Sequence, residues 1–451
     1  MIPVSLEKLK KILNAKLVGA NNQIINITTD TRNIVENCLF IALKGKNFDA
    51  HDFIKEAKTA SAYLVNRKLT LNVPQLIVQN TTLALETLAA WVRQQVKTRV
   101  VAITGSSGKT SVKEMTAAIL KQCGTVLYTH GNYNNNIGVS LTLLQLQMKH
   151  DFAVIELGGN HIGEIAYTSK LTRPVSALIN NLSASHIEGF GSILHIAQAK
   201  SEIFTGLLNN GIAIINYDNN NWNQWKDILN NKIIWRFSLK SVKKVEFFAK
   251  NIKINNNGTQ FKLYSPFGFI NIKLPLLGYH NIENALAATA LAVSVGASLE
   301  AVKKGLKNIR ALSGRIFPII LATNKLLLDD TYNANIGSMI AAIKVLSDMP
   351  GYKIMVVGDM MELGEYTEIY HRQIGKIISS SNIEKIISVG NFSSILSTEC
   401  IHGEHYKNKK TAIIRIKELL IKHNIITILI KGSRLSKMEQ IVSALQEQVL
   451  C

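Results

Sequence analysis

Alternation between strand-like and helix-like segments in the middle of the chain constrains the fold more than any other feature of the sequence. From Val100 to about Ile215, short runs rich in β-branched residues alternate with stretches in which apolar residues recur at helical spacing. Strands joined through crossover helices lie parallel, because each helix carries the chain back to the end of the sheet where the previous strand began. The alternation therefore predicts βαβ units and an α/β domain at the centre of the chain.

The pattern changes after this region. Residues 233–277 contain short alternating strands with turn signals at 257–258 and 266–268, which favour antiparallel hairpins. A helix is expected to follow, beginning at Asn281, a residue type that suits an N-cap. After Arg315, four strand-like runs again alternate with helical stretches and predict a separate doubly wound, Rossmann-like domain.

The length of the chain fits this division. A chain of 451 residues exceeds the size of an ordinary single core, and length alone favours about three domains. The segment before the central region holds short strands and a helical stretch and predicts the smallest unit. We expect an N-terminal α/β domain at residues 1–82, a central parallel-sheet domain at 83–313 and a C-terminal domain at 314–451.

A glycine-rich loop at the start of the central region is the strongest local sign of function. Residues 100–104 predict a strand, Gly105 to Gly108 a tight loop, and Ser111 onward a helix. Glycine lets the backbone wrap around a phosphate without interference from a Cβ atom, and the helix N-terminus offers free N–H groups and a favourable dipole. The residues of the predicted phosphate site are Gly105, Ser106, Ser107, Gly108, Lys109, Thr110 and Ser111.

Two side chains of this loop carry the expected chemistry. Lys109 is placed to reach the terminal phosphates of a nucleotide, and Thr110 is placed to bind Mg²⁺. The strict P-loop pattern has a glycine where this chain has Ile103, so an ordinary glycine turn remains the alternative. The strand before the loop and the helix after it favour phosphate binding.

Three further residues are candidates for a metal site beside the phosphates, since phosphoryl transfer needs charge neutralisation at the reacting oxygens. Glu156 ends a predicted strand, where open α/β sheets bind their ligands. His186 follows the end of another predicted strand, and Lys200 lies on a predicted helix. Taken singly, each also fits a surface, packed or solvated residue without a catalytic role.

The net charge of +20 raises the alternative of a nucleic-acid-binding protein, because clustered lysines and arginines bind phosphates by releasing counterions. The basic residues of this chain are spread over all segments, and the longest basic runs are pairs or triplets such as the one within residues 407–410. We therefore expect a solvated basic surface that attracts anionic substrates, and no nucleic-acid partner. A P-loop ATPase stimulated by DNA or RNA remains the alternative from another functional class.

Cysteines and apolar runs bear on the cellular compartment. Cys38, Cys123, Cys400 and Cys451 lie far apart and form no CxxC pair, which argues against a disulfide framework and a zinc site. The N-terminal segment has apolar residues at helical spacing among lysines, without the continuous apolar core of a signal peptide. No run approaches the roughly 18 apolar residues of a membrane span. The sequence predicts a cytoplasmic protein without membrane insertion.

Taken together and in this order, these segments resemble the Mur ligases over nearly the whole chain. TGSSGKT is similar to the family's phosphate loop, GNYNNNIGVSLTLL to the segment that follows it, and ELGGN, SHIEGFGS and AKSEIF to its metal-site segments. The resemblance implies three α/β domains: an N-terminal domain for a UDP-linked substrate, a central P-loop-type ATPase domain and a C-terminal Rossmann-like ligase domain. It also implies ATP and two Mg²⁺ ions as cofactors.

The same resemblance assigns roles to the metal candidates. In the family the lysine is carbamylated, which implies a carboxylate-like ligand at Lys200 for a second Mg²⁺. Glu156 would then bridge toward both ions and His186 would complete the second site, while Thr110 holds the first. Lys109, His186 and Lys200 are the expected catalytic residues.

The resemblance also implies nucleotide contacts outside the loop. His280, Asn281 and Asn284 of the GYHNIENALAA segment are expected to contact adenine, and Arg315 is expected to bind the nucleotide from the third domain. Asp330 would contact the ribose or position that domain when it closes. From the residues alone, Asn281 equally suits a helix N-cap and Asp330 the end of a strand.

The outer segments decide which reaction the resemblance implies. TDTRNIVENCLFIALKGKNFDAHDF, DDTYNANIGSM, GDMMELGE and KGSR resemble the branch of the family that adds D-alanyl-D-alanine to UDP-N-acetylmuramoyl-tripeptide through an acyl phosphate. The residues expected to bind substrate are Thr31, Arg32, Lys44, Asp49, His51 and Asn135. We expect a monomer. Another Mur or folylpolyglutamate-type ligase, and a non-catalytic scaffold, are the alternatives.

Four positions depart from the commonest family pattern. Asn136 stands where an acidic residue is usual and Ser140 where proline is usual; Tyr279 replaces a frequent basic residue and Ile336 a frequent proline. None of these positions is an expected phosphate or metal ligand, so the implied reaction class is unchanged. Asn136 is expected to remove a negative charge beside the proposed site.

Overall fold

The computed structural model describes residues 1–45, 48–185, 187–219, 224–240, 242–255 and 258–447. In this part of the chain three large β-sheets follow one another along the sequence, and a two-stranded ladder accompanies the first. Helices pack on the sheets and bury their apolar faces. The architecture is α/β, as the sequence predicts.

A small sheet organises the N-terminal unit. Its elements are β1 (Val4–Ser5), α1 (Leu6–Leu13), β2 (Lys16–Val18), β3 (Gln23–Ile24), β4 (Asn26–Thr28), β5 (Cys38–Ile41), β6 (Ala62–Val65) and β7 (Gln75–Ile77). The strand order is β2-β7-β6-β5-β4, with β4 to β7 parallel and β2 antiparallel to β7. β1 and β3 form the separate ladder.

The central unit contains the largest sheet. Its elements are α2 (Thr81–Gln95), β8 (Arg99–Thr104), α3 (Lys109–Leu120), β9 (Val126–Tyr128), α4 (Asn136–Leu144), β10 (Phe152–Glu156), α5 (Glu164–Thr172), β11 (Ser176–Ile179), α6 (Ile187–Phe190), α7 (Ile193–Ser201), β12 (Ile212–Asn216), α8 (Lys226–Leu229), β13 (Ile233–Ser238), β14 (Phe247–Asn255), β15 (Gly258–Ser265), β16 (Gly268–Leu274), α9 (Tyr279–Ser294) and α10 (Leu299–Lys307). The order is β16-β15-β14-β13-β12-β11-β8-β10-β9. β8 to β14 run parallel, which confirms the predicted βαβ units.

Strand β8, at the centre of this sheet, is covered on both faces. Val100 and Ala102 pack into the apolar cluster on one face, with α2 and α4, whereas Val101 and Ile103 pack into the cluster on the other face, with α3 and α9. Successive strand residues point to opposite faces, so a strand covered on both sides reads as a continuous apolar run. The loop after Thr104 is therefore held at a defined place at the carboxyl edge of the sheet.

The antiparallel hairpins predicted for residues 233–277 begin one strand later than expected. β13 pairs parallel with β12, and α8 lies in the connection between these two strands. β13 also pairs parallel with β14. β14, β15 and β16 form the hairpins, and Asn255 pairs with Gly258 across the first of them. Asn257 of the predicted turn lies outside the described residues.

Two helices begin earlier than the sequence pattern indicates. α3 begins at Lys109 and α9 at Tyr279, and the residue before each is a glycine with positive φ. Asn281 is therefore not an N-cap; its Nδ2 donates a hydrogen bond to Leu277 O at 2.8 Å. Glycine caps lack the side-chain acceptor of serine, threonine, aspartate or asparagine, so a search for those residues misses both starts.

The C-terminal unit is doubly wound, as predicted. Its elements are β17 (Phe317–Ala322), β18 (Lys325–Asp330), α11 (Ile336–Ser347), β19 (Tyr352–Gly358), α12 (Thr367–Ser379), β20 (Lys385–Val389), α13 (Ser393–Thr398), β21 (Gly403–Tyr406), α14 (Lys409–Lys422), β22 (Ile426–Lys431) and α15 (Glu439–Gln446). The order is β17-β18-β22-β19-β20-β21, parallel except for β17. α11 to α13 pack on one face of the sheet, and α14 and α15 pack on the other.

One of the two expected domain boundaries lies within a helix and the other lies in a loop. The one at residue 82 lies in the first turn of α2, whose side chains share an apolar cluster with both the N-terminal and the central sheet. The one at residue 313 lies in the loop between α10 and β17. Among the described helices, none combines the length and the apolar character that crossing a membrane requires.

Candidate active site

The glycine-rich loop joins β8 to α3 at the carboxyl edge of the central sheet. Lys109 folds back over the loop and donates a hydrogen bond from Nζ to Gly105 O at 2.7 Å. Gly108 has φ of +75°, and a Cβ atom there would lie 2.5 Å from Asn180 Nδ2 and 2.6 Å from Asn284 Oδ1. Glycine at this position is therefore required by both the backbone conformation and the neighbouring side chains.

Two asparagines after β11 hold the loop in shape. Asn181 accepts a hydrogen bond at Oδ1 from Ser107 N at 2.8 Å. Asn180 donates from Nδ2 to Ser107 O at 3.1 Å and to Asn284 Oδ1 at 3.0 Å. Neither asparagine was predicted from the sequence. Their place directly after a strand that is parallel to β8 is the signal that could have identified them, because the carboxyl ends of parallel strands meet at one edge.

Thr110 and Glu156 bring oxygen atoms together beside the loop. Thr110 donates a hydrogen bond from Oγ1 to Glu156 Oε2 at 3.0 Å, and Asn134 donates from Nδ2 to Glu156 Oε1 at 2.8 Å. Glu156 ends β10, as predicted, and the structure shows that it is buried. Carboxylate and hydroxyl oxygens are the ligands that Mg²⁺ prefers, so this pair fits the ion that the family implies. Within the described ranges, no three His, Cys, Asp or Glu side chains cluster into a metal site.

Lys200 reaches the same cleft from the end of α7. The residue is only 1% exposed, and its Nζ donates to Gly159 O at 3.4 Å and lies 5.3 Å from the ring centre of Phe190. Burial, with a further contribution from the charge of Lys109, lowers the pKa of Lys200 to about 7. His186, the other expected metal ligand from this region, lies outside the described residues.

The C-terminal unit contributes the opposite wall of the cleft. Arg315 donates from Nη2 to Thr110 Oγ1 at 3.0 Å, and its guanidinium group lies 4.2 Å from the ring centre of Tyr332. Asp330 pairs with the buried Lys431, with 2.6 Å between Oδ2 and Nζ, and also accepts a hydrogen bond from Ile316 N at 3.2 Å. The wall is therefore tied both to the loop and to the end of β22.

One continuous cleft contains most of the predicted nucleotide and metal residues. Those that line it are Ser106, Ser107, Gly108, Lys109, Thr110, Ser111, Glu156, Lys200, His280, Asn281, Asn284, Arg315 and Asp330. Residues that were not predicted from the sequence also line it, among them Asn132, Asn134, Asn181, Glu283, Tyr332, Asn335 and Lys431. Burial, and then the charge of Lys431, lowers the pKa of His280 to about 4, so its imidazole is neutral at physiological pH.

The substrate residues predicted in the N-terminal unit do not line this cleft. Thr31 and Arg32 lie in the turn after β4, and Arg32 pairs with Asp30. Asp49 Oδ1 lies 2.5 Å from His51 Nδ1, and His51 Nε2 accepts a hydrogen bond from Asn66 N at 3.1 Å. Both ring nitrogens of the buried His51 are therefore engaged within the unit.

Lys44 lies beside Asp49, the partner of His51. Its backbone forms an isolated antiparallel bridge with Asp49. β4 and β5 are neighbouring parallel strands, so the turns that follow them lie at the same edge of the N-terminal sheet. The N-terminal candidates thus follow two neighbouring strands at one edge of the N-terminal sheet, and none of them lines the cleft at the phosphate loop.

The start of α4 corrects an expectation about the site. Asn135 caps the helix, with Oδ1 accepting a hydrogen bond from Gly138 N at 2.9 Å. Asn136 donates from Nδ2 to Glu86 Oε1 at 2.8 Å and is not among the residues that line the cleft. The side chain at position 136 therefore points toward α2, so the loss of an acidic residue there does not change the charge of the cleft.

The other departures from the family pattern lie at helix positions. Ile336 is the first residue of α11, where proline is well tolerated because the N–H group has no partner within the helix. Tyr279 is the first residue of α9 and is 45% exposed. Ser140 is buried in α4. None of the three lines the cleft.

Comparison with known proteins supports the arrangement. The family model of the Mur ligase middle domain matches residues 103–292, and that of the Mur ligase, glutamate ligase domain matches residues 314–434. The UDP-N-acetylmuramoyl-tripeptide--D-alanyl-D-alanine ligase of Escherichia coli (strain K12) is 55% identical over 453 residues, covering 100% of both chains.

Solved structures agree in fold over nearly the whole length of the chain. A crystal structure of MurF from Acinetobacter baumannii matches with a TM-score of 0.93 and 35% identity, covering 99% of both chains. MurF ligase from Thermotoga maritima, solved in complex with ADP, matches with a TM-score of 0.84 and 25% identity, covering 94% of this chain and 98% of that one. With two matching family models, a relative of 55% identity and a shared three-unit architecture, the chain belongs to the Mur ligase family.

Proposed function

We propose that this protein joins D-alanyl-D-alanine to UDP-N-acetylmuramoyl-tripeptide, with conversion of ATP to ADP and phosphate. The observation that carries the proposal is the single cleft in which Lys109, Thr110, Glu156 and Lys200 of the central unit meet Arg315 of the C-terminal unit. The E. coli relative that shares 55% of its residues with this chain bears the name of that ligase.

The first half of the reaction activates a carboxylate, because a free carboxylate is a poor acyl donor. An oxygen of the tripeptide's terminal carboxylate forms a bond to the γ-phosphorus of ATP, and the bond to the β–γ bridging oxygen breaks, giving an acyl phosphate and ADP. Lys109 and Arg315 both line the cleft and would neutralise the charge on the transferring phosphoryl group. Removing one such preorganised contact typically costs roughly 3 kcal/mol of transition-state stabilisation.

The second half of the reaction forms the amide. The amine of D-alanyl-D-alanine attacks the acyl carbon, the tetrahedral intermediate expels phosphate, and the nitrogen loses a proton. The acyl phosphate hydrolyses if water reaches it, so the cleft must close over it. The hydrogen bond from Arg315 to Thr110 joins the C-terminal wall to the loop. In this proposal, the contact helps to keep water out of the closed cleft.

Mg²⁺ and a modified lysine complete the proposed site. Thr110 and Glu156 would hold Mg²⁺, which supplies neutralising charge beside the phosphates when bound. Lys200 would carry a carbamate, formed when its neutral amine adds to CO2 and releases a proton. The buried position of this amine within the cleft lining supports the assignment, since an ordinary solvated lysine would be protonated. His186 remains a proposed ligand.

In this proposal each of the three units binds a different substrate. Residues 1–82 bind the UDP-linked peptide through the group that contains Thr31, Arg32, Lys44, Asp49 and His51, residues 83–313 bind ATP, and residues 314–451 complete the site for the amino acceptor. Asn135 would contact substrate only through a change at the α4 N-terminus, where it now serves as the cap. We place the reaction in the cytoplasm and expect a monomer.

The test is release of phosphate from ATP by the purified protein in the presence of Mg²⁺. UDP-N-acetylmuramoyl-tripeptide and D-alanyl-D-alanine are added singly and then together, with Lys109→Ala as the loop variant and Lys121→Ala, at the exposed end of the same helix, as its matched control. We expect release that needs both substrates, a pentapeptide product seen by mass spectrometry, and at least a hundredfold loss of rate in Lys109→Ala only.

Parallel arms separate the alternatives. Release that rises with DNA or RNA and ignores both substrates would identify a nucleic-acid-stimulated ATPase. Amide formation with glutamate in place of D-alanyl-D-alanine would identify a folylpolyglutamate-type specificity. ATP binding without any product would identify a non-catalytic relative, and a full rate in Lys109→Ala would refute the loop assignment.

A further inference from the structure

The hairpins formed by β14, β15 and β16 have one covered face and one open face. The covered face packs into the apolar cluster that also contains α3 and α9, through Ala249, Phe261, Leu263, Ile270, Ile272 and Leu274. Successive residues of a strand point to opposite faces, so the residues that alternate with these lie together on the other side of the sheet. We call that side the open face.

The strand register arranges the open face in three cross-strand rows of three residues. The first row is aromatic and consists of Phe248, Tyr264 and Phe269. The second row has two lysines directly opposite each other and consists of Lys250, Lys262 and Asn271. The third row has two further lysines and consists of Lys253, Gln260 and Lys273. None of the nine residues is acidic, and none of them is buried.

The fold concentrates positive charge here, although basic residues are spread along the whole chain. Residues 233–277 contain eight basic residues and one acidic residue, Glu246, which pairs with Arg236. Within the part of the chain that the structure describes, no ion pair joins a lysine of the open face to a carboxylate. Like charges directly opposite each other destabilise a sheet, so the pair of Lys250 and Lys262 has a cost that an anionic ligand would remove.

The aromatic row limits the kind of anion that fits. Phe248 and Tyr264 stack on each other, with ring centres 4.8 Å apart and ring planes 4° apart. Side chains stand roughly perpendicular to a sheet, so this pair presents ring edges to the solvent. Lys262 Nζ lies 3.5 Å from the ring centre of Phe269. Contacts within the open face thus take up much of the ring-face area on which the bases of a single-stranded nucleic acid would stack.

An anionic lipid surface makes no such demand. Lysine side chains near a membrane are attracted to acidic headgroups, and aromatic side chains settle at the level of the headgroups without stacking on a partner. Phe269 is 57% exposed and lies in the row next to the lysines. The open face therefore offers both the charge and the exposed apolar ring that such a surface binds.

We propose that the open face binds the surface of a membrane that contains anionic lipids, with its four lysine amines at the headgroup phosphates and Phe269 at headgroup level. The binding is peripheral and involves no membrane-spanning segment. No residue of the open face lines the cleft, so this surface is distinct from the site of the proposed reaction.

The experiment measures binding of the full-length protein to vesicles by co-sedimentation. One set of vesicles is phosphatidylcholine alone, and the other is an equal mixture of phosphatidylcholine and phosphatidylglycerol. The variants are the double substitution Lys250→Gln with Lys262→Gln, and the single substitution Phe269→Ser. The matched control, Lys407→Gln with Lys410→Gln, removes the same charge from two exposed lysines of the C-terminal unit.

We expect the natural chain to bind the mixed vesicles about tenfold or more tightly than phosphatidylcholine alone, and added salt should weaken the binding because it screens exposed charges. The double variant of the open face should bind the mixed vesicles about tenfold or more weakly than the natural chain. Phe269→Ser should show a smaller loss, and the control should bind nearly as well as the natural chain. Circular dichroism and the unfolding temperature establish that each variant is folded.

A parallel arm uses a fluorescent single-stranded oligouridine in place of vesicles. Binding of this RNA that depends on Lys250 and Lys262, without binding to the mixed vesicles, would assign the open face to nucleic acid and overturn the proposal. A natural chain that binds both kinds of vesicle equally would overturn it too, as would a double variant of the open face that binds as tightly as the natural chain. An equal loss in the control would assign the binding to the overall charge of the protein and not to this face.

Discussion

Arg315 donates a hydrogen bond to Thr110 Oγ1 at 3.0 Å, and this contact joins side chains that lie 205 positions apart in the sequence. Thr110 Oγ1 in turn donates a hydrogen bond to Glu156 Oε2 at 3.0 Å. The first turn of the phosphate-loop helix, the end of β10 and the entry to the C-terminal unit are thus one hydrogen-bonded assembly. The position of the C-terminal wall therefore depends on the same threonine that is proposed to hold Mg²⁺.

Removal of the Arg315 guanidinium group should weaken nucleotide binding. Arg315→Ala loses one hydrogen bond and one positive charge at the cleft, so we expect the KM for ATP to rise about tenfold or more, with a lower kcat. Arg315→Lys keeps the charge but not the planar group that lies over Tyr332, so its defect should be intermediate. Steady-state kinetics measure both. Arg310→Ala, in the same linker, is the control, and equal behaviour of the two alanine variants would contradict the prediction.

Lys113 should prove to be a positioning residue for the segment after the loop. It is 1% exposed on α3, and its Nζ donates to Thr129 O at 2.8 Å and to Gly131 O at 3.4 Å, just before Asn134 reaches Glu156. Lys113→Met leaves these carbonyl groups without their donor, which should cost about 1–3 kcal/mol of stability. Hydrogen exchange should also become faster in residues 129–134.

A control separates this effect from a general loss of charge. Lys170→Met removes an exposed lysine of α5 and should change stability by less than about 0.5 kcal/mol. Denaturant unfolding measures both variants. Unchanged exchange in residues 129–134 of Lys113→Met would show that the segment holds its place without the lysine.

Lys200 should take up CO2 near neutral pH. Carbamate formation needs the neutral amine, and a pKa of about 7 leaves a large part of Lys200 neutral at pH 7, whereas a lysine with the ordinary pKa of 10.5 is almost wholly protonated. Protein equilibrated with ¹³C-bicarbonate should show one carbamate carbon signal by NMR, and the signal should be absent in Lys200→Arg. Lys170→Arg should keep it. A spectrum without the signal in the natural chain would exclude the modification.

Glu404 should stabilise the C-terminal unit in a pH-dependent manner. Burial opposes its ionisation, but hydrogen bonds from Arg415, Lys385 and Tyr406 outweigh burial and hold its pKa at about 2, below the ordinary 4.5. The unfolded chain then binds more protons between pH 4.5 and 2, so the contribution is complete above pH 4.5 and declines as the pH falls toward 2. At pH 7 we expect Glu404→Gln to lose roughly 2 kcal/mol of unfolding free energy.

The measurement is urea unfolding at pH 7, 5 and 4. The difference between the natural chain and Glu404→Gln should be largest at pH 7 and should begin to shrink at pH 4. Glu418→Gln removes an exposed partner of the same Arg415 and should cost under about 1 kcal/mol. A Glu404→Gln deficit that stays constant over this range would assign the loss to packing and not to charge.

The sequence alone determined the elements whose signals are local. The glycine loop between strand and helix, the run of parallel strands around it, and the doubly wound C-terminal unit were all predicted and are present. Apolar periodicity and glycine placement act on a few neighbouring residues, through backbone sterics and through burial of one face. Glu156 and Lys200 were selected because the segments ELGGN and AKSEIF resemble metal-site segments of a known family. Both side chains line the cleft.

Only the tertiary structure decided which side chains from distant segments meet. Asn136 contacts Glu86 and not the cleft, Lys431 reaches Asp330 across 101 positions, and Glu283 lines the cleft. No local pattern marks these residues, since an asparagine, a lysine or a glutamate on a helix or strand is usually solvated. Their surroundings arise when three sheets pack together, because packing sets the dielectric environment and the partners of each polar group.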